Sequence, residues 1–364
     1  MKIKKDHLNF TVGPVMMNNE IMEMGVEPIP YFRTSDFSRL MLENEQLFKK
    51  FIAAPDDAKV IFLTGSGTAA MDAAVCNIFN ENDKLLIING GSFGKRFCEI
   101  CDVYEIPYED IKLENGKTLT KEQLTVYENK GFTGLLVNMN ETSTGVLYDV
   151  EMIGEFCKQN NLIFIVDAIS AFLADEIDMR KIGADAILTA SQKALALAPG
   201  VSIIALSNRA VDRINNNKTK CYYLDLKSSL ENMERGQTPF TPAVGILIQL
   251  NARLNHINSI GLESETKQIK DICDDFRKRI KNYPFSIFSN SLSNAVTPLT
   301  PISPDVSAYK IFEVLKEEYD IIVCPNGGEL ENKVFRVGHI GNLTIEDNDK
   351  LFAALDDLIK RKII

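Results

Sequence analysis

The feature that most constrains the fold is a series of short, continuous apolar runs between residues 58 and 207. They cover 59–64, 84–88, 134–138, 162–166, 185–189 and 201–206. A strand with one solvated face alternates apolar and polar residues; these runs do not, so both faces must be covered. Helical stretches over 68–79, 93–103 and 150–159 supply the cover. The expectation is an α/β domain with a largely parallel sheet, helices on both faces, and functional residues at the carboxyl ends of the strands.

The pattern changes after Pro242. Helices are expected over 245–257 and 263–281, and Pro284, Pro298, Pro301 and Pro304 then punctuate a strand-and-turn region. Strands over 321–323 and 333–337, with amphipathic helices over 308–318 and 345–360, complete a smaller α+β unit. At 364 residues the chain exceeds what one core usually organises. The expected division is a large domain over 16–256 and a small C-terminal domain over 257–364 that also takes residues 1–15. The first dozen residues read as extended and need a surface to pack on.

A net charge of −10 argues against nucleic acid or an anionic membrane as the main partner. A small anionic ligand would need local positive groups. No run reaches transmembrane length, and the N-terminus lacks the apolar stretch of a signal peptide. Seven scattered cysteines fit reduced thiols and a cytoplasmic location. Cys98 and Cys101 form a C-x-x-C pair without a second pair, and with only three histidines in the chain they read as one helix face rather than a metal site.

Three places suggest chemistry. Lys193 follows the run 185–189 among small and apolar residues; taken alone it reads as a surface lysine on a loop that starts a helix, and otherwise as an amine whose desolvation cost a covalent bond to a carbonyl cofactor removes. Asp167 closes the run 162–166; it is either a helix cap or a partner that keeps a pyridine nitrogen protonated. Thr64-Gly65-Ser66-Gly67-Thr68-Ala69-Ala70 lies between a strand and a helix and offers backbone amides and hydroxyls to a phosphate. It also satisfies G-x-G-x-x-[GA], so a dinucleotide site competes. However, the next strand ends Ile88-Asn89-Gly90-Gly91, with no carboxylate for a ribose.

Nine blocks, in order, resemble the class V aminotransferases of fold type I, which use pyridoxal 5'-phosphate (PLP). They are Phe10-Thr11-Val12-Gly13-Pro14-Val15, Phe32-Arg33-Thr34-Ser35-Asp36-Phe37, the Gly65–Ala70 loop, Asn89-Gly90-Gly91-Ser92-Phe93-Gly94-Lys95-Arg96, Glu141-Thr142-Ser143-Thr144-Gly145, Val166-Asp167-Ala168, Ser191-Gln192-Lys193, Thr238-Pro239-Phe240-Thr241-Pro242 and Phe335-Arg336-Val337-Gly338. The alanine–glyoxylate, serine–glyoxylate and 2-aminoethylphosphonate branch resembles the chain most.

The resemblance implies roles. Lys193 corresponds to the Schiff-base lysine and Asp167 to the pyridinium partner. Ser66, Gly67, Thr68 and Gln192 correspond to the phosphate site, Phe93 to the ring stacked on the cofactor, and Thr142 to a hydroxyl near its phenolic oxygen. Arg336 corresponds to the arginine that grips the substrate carboxylate. Gly13 and Arg33 are further substrate-side candidates, with a surface ion pair the other reading for Arg33. Thr238 and Thr241 are candidates to complete the neighbouring subunit's phosphate site, which implies a homodimer with shared active sites. Met139 stands where close relatives often carry histidine, and Phe93 where a tryptophan, tyrosine or histidine is commoner.

The implied activity is transamination between a small amino acid (alanine, serine or aspartate type) and a 2-oxo acid such as glyoxylate or pyruvate. A 2-aminoethylphosphonate–pyruvate aminotransferase is the alternative within the branch. A cysteine desulfurase would place histidines where Gln192 and Phe93 stand; a nicotinamide-dependent dehydrogenase would have to use the Gly65–Ala70 loop. A non-catalytic relative would be expected to lack Lys193 or Asp167.

Overall fold

The seven-stranded sheet of the computed structural model, which describes residues 7–364, has the spatial order Lys59–Gly65, Gly200–Leu206, Ala186–Ala190, Ile163–Asp167, Gly134–Asn138, Leu85–Asn89, Tyr108–Lys112. Every apolar run expected to be a strand is in it. Gly200–Leu206 runs antiparallel to both neighbours, and the remaining pairs are parallel. Tyr108–Lys112 is an edge strand that sequence patterning did not reveal; it carries polar residues on its open side and has no apolar run.

Helices cover both faces of this sheet. One layer includes Gly67–Ile78 and Ser92–Val103, whose apolar residues join Ile61, Leu63, Ile87, Leu136 and Ile165 in one core. On the other face, Ser35–Phe51, Val150–Gln159 and Val244–Ile260 bury Phe48, Ile153 and Leu250 against Phe62, Leu135 and Phe164. Successive side chains on a strand point to opposite faces, so a run with both faces covered must be apolar throughout.

A second sheet has the order Leu8–Phe10, Ile321–Pro325, Phe335–Gly338, Val296–Pro301, Phe285–Ile287. The helices Leu262–Ile280, Ala308–Tyr319 and Ile345–Lys360 pack on it through a separate core that includes Phe276, Leu315, Phe335 and Leu355. The extended start of the chain finds its surface here, because Leu8–Phe10 pairs in parallel with Ile321–Val323. Residues 1–6 of that segment lie outside the described residues.

Among the described residues, no helix is long and apolar enough to cross a membrane. Cys98 and Cys101 sit buried on the helix Ser92–Val103.

Candidate active site

Asp167 ends its strand between Gly134–Asn138 and Ala186–Ala190, the strand that leads into Lys193. Its carboxylate accepts hydrogen bonds from the Asn138 side-chain amide (2.5 Å) and the Ile169 backbone N–H (2.8 Å). Burial pushes its pKa up to about 6, against the pull of these two donors and of Lys193. Lys193 is shifted the opposite way. Desolvation lowers its proton affinity, the nearby Arg336 and Arg96 guanidinium groups lower it further, and Cys324 and Asp167 oppose the change. The lysine and the carboxylate therefore share one desolvated site with two arginines.

Gly13 is seated against this lysine. A Cβ there would lie 2.6 Å from Lys193 Cδ and 3.0 Å from the Gln192 carbonyl oxygen, and its φ of +128° already excludes most side chains. Val15 N–H donates to the same carbonyl at 3.3 Å. The Gln192 Oε1 and Thr189 Oγ1 atoms are buried without a hydrogen-bond partner, which marks a polar surface awaiting a donor.

The loop preceding the helix Gly67–Ile78 connects to the same cluster. A Cβ on Gly67 would meet the Ile169 side chain at 2.5 Å, and the Ile169 N–H is bonded to Asp167. Ser66 is the exposed N-cap, and its side chain makes no capping bond. Thr68 Oγ1 accepts from Arg96 (3.1 Å), whose guanidinium lies over the Phe93 ring at 4.7 Å. One face of Phe93 is thus taken by Arg96. The first turn of this helix directs its amide N–H groups outward, the geometry of an anion site.

Arg336 comes from the second sheet, in register with Cys324. It donates to the carbonyl oxygens of Thr142 (2.9 Å) and Pro325 (2.6 Å), and its Nε is buried without a partner. The Thr142 hydroxyl pairs with that of Ser170 at 2.7 Å. Asn89, Ser92, Phe93, Lys112, Asn326 and Arg336 are among the residues lining a cleft of about 810 Å³ between the two sheets.

Three of the sequence candidates form a separate group. Arg33 donates to Gln237 Oε1 (3.3 Å) and to the carbonyl oxygens of Thr238 (3.2 Å) and Pro239 (3.3 Å). It is therefore a clamp on the 237–239 segment, and among the described residues these hydrogen bonds stand in place of the surface ion pair considered for it. The Thr238 hydroxyl donates to the Phe240 carbonyl at 2.7 Å, and Thr241 is exposed. The segment meets the large sheet where Ala243 N–H donates to Thr64 Oγ1 at 3.0 Å. Among the described residues, none of these hydrogen bonds reaches Lys193 or Asp167.

Sequence reasoning missed several residues. Glu141 is buried, and its two oxygens accept from the N–H groups of Phe93 (3.1 Å), Gly94 (2.9 Å) and Ser143 (3.2 Å) and from the Ser143 hydroxyl (2.5 Å). It thereby neutralises the N-terminus of the helix that carries Phe93 and Arg96. Asn138 and Arg96 were also missed. Each acts through a neighbour distant in sequence, and only their positions at a strand end or in a resembling block could have drawn attention to them.

Two rival readings meet geometric obstacles. The Gly65–Ala70 loop follows Lys59–Gly65, an edge strand, whereas dinucleotides bind at the switch point inside a parallel sheet. Cys324 lies within the strand Ile321–Pro325, not on a loop that could carry sulfur to a substrate.

Known aminotransferases resemble the chain in sequence and in fold. An aminotransferase of uncharacterised specificity from Methanocaldococcus jannaschii is 32% identical over 336 residues, covering 90% of this chain and 86% of its own. The L-aspartate–glyoxylate aminotransferase of Paracoccus denitrificans is 26% identical over 92% of this chain and 86% of its own. The crystal structure of a subgroup IV aspartate aminotransferase from Thermus thermophilus superposes with a TM-score of 0.89 at 26% identity, covering 97% of this chain and 99% of that one. Residues 31–329 match the class-V aminotransferase family. With that match spanning most of its length, the chain belongs to the class-V aminotransferases and is an aminotransferase.

Proposed function

We propose that this aminotransferase uses PLP, bound through Lys193, to move an amino group between a small amino acid of the alanine, serine or aspartate type and a 2-oxo acid such as glyoxylate or pyruvate. What carries the reading is that Asp167 ends one strand and Lys193 follows the end of its neighbour, in one desolvated surrounding with Arg336. The residues present fit the cofactor. Asp167 is an ionised, buried acceptor above about pH 6 and suits a protonated ring nitrogen. Ser66, Gly67 and Thr68, at the start of a 12-residue helix, suit a phosphate, and Gln192, whose Oε1 has no partner to hold it, can turn its amide NH₂ toward the same anion.

When bound, PLP supplies a carbonyl carbon for Lys193 and a ring that accepts electron density. Lys193, whose lowered proton affinity favours the free amine, takes the α-proton of the amino donor on Nζ and returns it. Asp167 keeps the ring nitrogen protonated. Arg336 orients the substrate carboxylate through N–H groups not already given to Thr142 and Pro325. Phe93 and Thr142 would hold the ring, and Gly13 leaves room for the lysine stem.

Further parts of the reading concern organisation. A homodimer with shared sites gives Thr238, Thr241 and the Arg33 clamp a role, because in one subunit they stand apart from Lys193. The separate core around Phe276, Leu315 and Phe335, which includes Phe10, supports a large domain over 16–256 and a small one over 257–364 that also takes residues 1–15, although Val12, Val15, Ile269, Ala295, Val296 and Ile340 pack in the large core. Seven scattered cysteines, none in a disulfide among the described residues, support a cytoplasmic location.

Lys95 and Lys112 line the same cleft as Arg336. They favour, as a second reading, a donor with an additional anionic group such as 2-aminoethylphosphonate. The test is a panel of alanine, serine, aspartate and 2-aminoethylphosphonate with glyoxylate and pyruvate. Stoichiometric keto product from an α-amino acid without acceptor supports the first reading, and turnover restricted to the phosphonate supports the second. Keto product from none of the four would refute both.

A further inference from the structure

Away from the cleft, two cysteines meet on the outer helical layer. Cys76 lies in the last turn of the helix Gly67–Ile78, and Cys221 on the segment that follows the helix Asn208–Asn216. Their sulfurs are 3.3 Å apart, so a disulfide requires them to approach by about 1.3 Å.

Both ends of the 217–226 segment are fastened to the helix that carries Cys76. Asn217 donates to the carbonyl oxygens of Asn77 (3.2 Å) and Ile78 (2.7 Å) and accepts from Asn80 (2.9 Å). At the other end, the Asn77 side chain donates to the Leu224 carbonyl (2.9 Å) and accepts from Leu226 N–H (3.0 Å). The sulfurs are therefore held near one another by the Asn217 and Asn77 side chains on either side of them.

The two thiols differ in exposure and surroundings. Cys76 is buried and Cys221 partly exposed. The Cys221 sulfur contacts the Cys76 thiol, the Thr219 hydroxyl (3.1 Å) and the Asn77 amide nitrogen (3.6 Å). Hydrogen bonds from these groups pull its pKa down, and the same contact with burial pushes that of Cys76 up. The other neighbouring pair contrasts with this one: burial, first of all, pushes Cys98 up to about 11 and Cys101 up to about 12.

We propose that Cys76 and Cys221 are a modification site, a thiol pair that hydroperoxides oxidise to an intrachain disulfide. The Cys221 thiolate attacks one peroxide oxygen; a sulfur–oxygen bond forms as the oxygen–oxygen bond breaks, and the departing oxygen takes a proton. Cys76 then attacks the oxidised sulfur, forming the disulfide and expelling water. In sum, two thiols are oxidised and one hydroperoxide is reduced to an alcohol, or water, plus water. A thiol reductant reverses the change. The crosslink would tie the helix that begins at Ser66 and Gly67 to Tyr222 and Tyr223, which pack on Phe240 in the 238–241 segment.

The test treats the purified full chain with near-stoichiometric hydrogen peroxide and counts thiols after denaturation. The seven cysteines should fall by two, with residues 76 and 221 joined in a non-reducing peptide map and all thiols restored by reductant. Cys221→Ser should lose no thiol at that dose, and Cys76→Ser should leave a sulfenic acid on residue 221 that a dimedone-type nucleophile traps. Should Cys76→Ser fail to fold, Thr219→Val, which removes one donor to the thiolate, should slow thiol loss several-fold. Retention of all seven thiols, a link between other cysteines or between chains, or an unchanged rate in Thr219→Val would overturn the proposal.

Discussion

Replacing Asp167 by asparagine should make the cofactor-free protein more stable while disabling it. Burial raises the carboxyl from its ordinary 3.8 to about 6, so the folded chain holds that proton more tightly than the unfolded chain does. The stabilisation from the bound proton is complete below about pH 3.8 and is lost as pH rises through about 6. At pH 8 the ionised group thus costs the folded state about 3 kcal/mol, the two-unit shift at 1.36 kcal/mol per unit.

Asparagine removes that cost at little expense in hydrogen bonds. Its oxygen still accepts from Ile169 N–H, and Asn138, whose Oδ1 is buried without a partner, turns its amide over to accept from the new NH₂ group. Urea denaturation of the cofactor-free proteins should therefore favour Asp167→Asn by about 2–3 kcal/mol at pH 8. The advantage should shrink to about half by pH 5 and vanish only below about pH 3.8, where both states hold the proton. Transamination should fall on the order of 10²-fold or more, since nothing then holds the ring nitrogen protonated. A variant that is less stable at pH 8, or whose stability difference is flat between pH 5 and 8, would refute the reasoning.

Other perturbations probe neighbouring parts of the site. Arg336→Gln should raise the KM for carboxylate substrates on the order of 10–100-fold through loss of a charged hydrogen-bonding partner, as read from initial rates. Gly13→Ala, which presses a methyl group on the Lys193 stem at a φ of +128°, should cut kcat on the order of 10-fold or more with the far-ultraviolet circular dichroism unchanged. Glu141→Gln places an amide nitrogen where the carboxylate accepts from backbone and hydroxyl donors. It should cost about 2–3 kcal/mol in denaturant titrations, and an unaltered midpoint would contradict that cap.

The central sheet was legible because strands covered on both faces must be apolar, and runs such as 134–138 and 162–166 are. The direction of Gly200–Leu206 was not, since a strand's composition does not encode its polarity. Its connection does hold a signal: only nine residues without a helix separate it from Ala190, too few for a parallel crossover. The helix Ser35–Phe51 escaped notice despite a Thr34 cap and buried Phe37, Met41 and Phe48 at helical spacing. For the site, Lys193 and Asp167 were legible as charged residues closing or following apolar strands. Glu141, Asn138 and Arg96 were not, because each acts on a group that only the fold brings near. Arg33 shows the opposite limit: its charge suggested a substrate anion or a surface ion pair, yet its partners here are a side-chain amide and two backbone carbonyls.

The most direct test of the central claim is to reduce the purified protein with borohydride in the presence of PLP, digest it, and locate the modified residue by mass spectrometry. A single phosphopyridoxyl group on Lys193, absent after Lys193→Ala, is the predicted result. Modification of a different lysine, or a protein that retains no PLP under these conditions, would contradict the account.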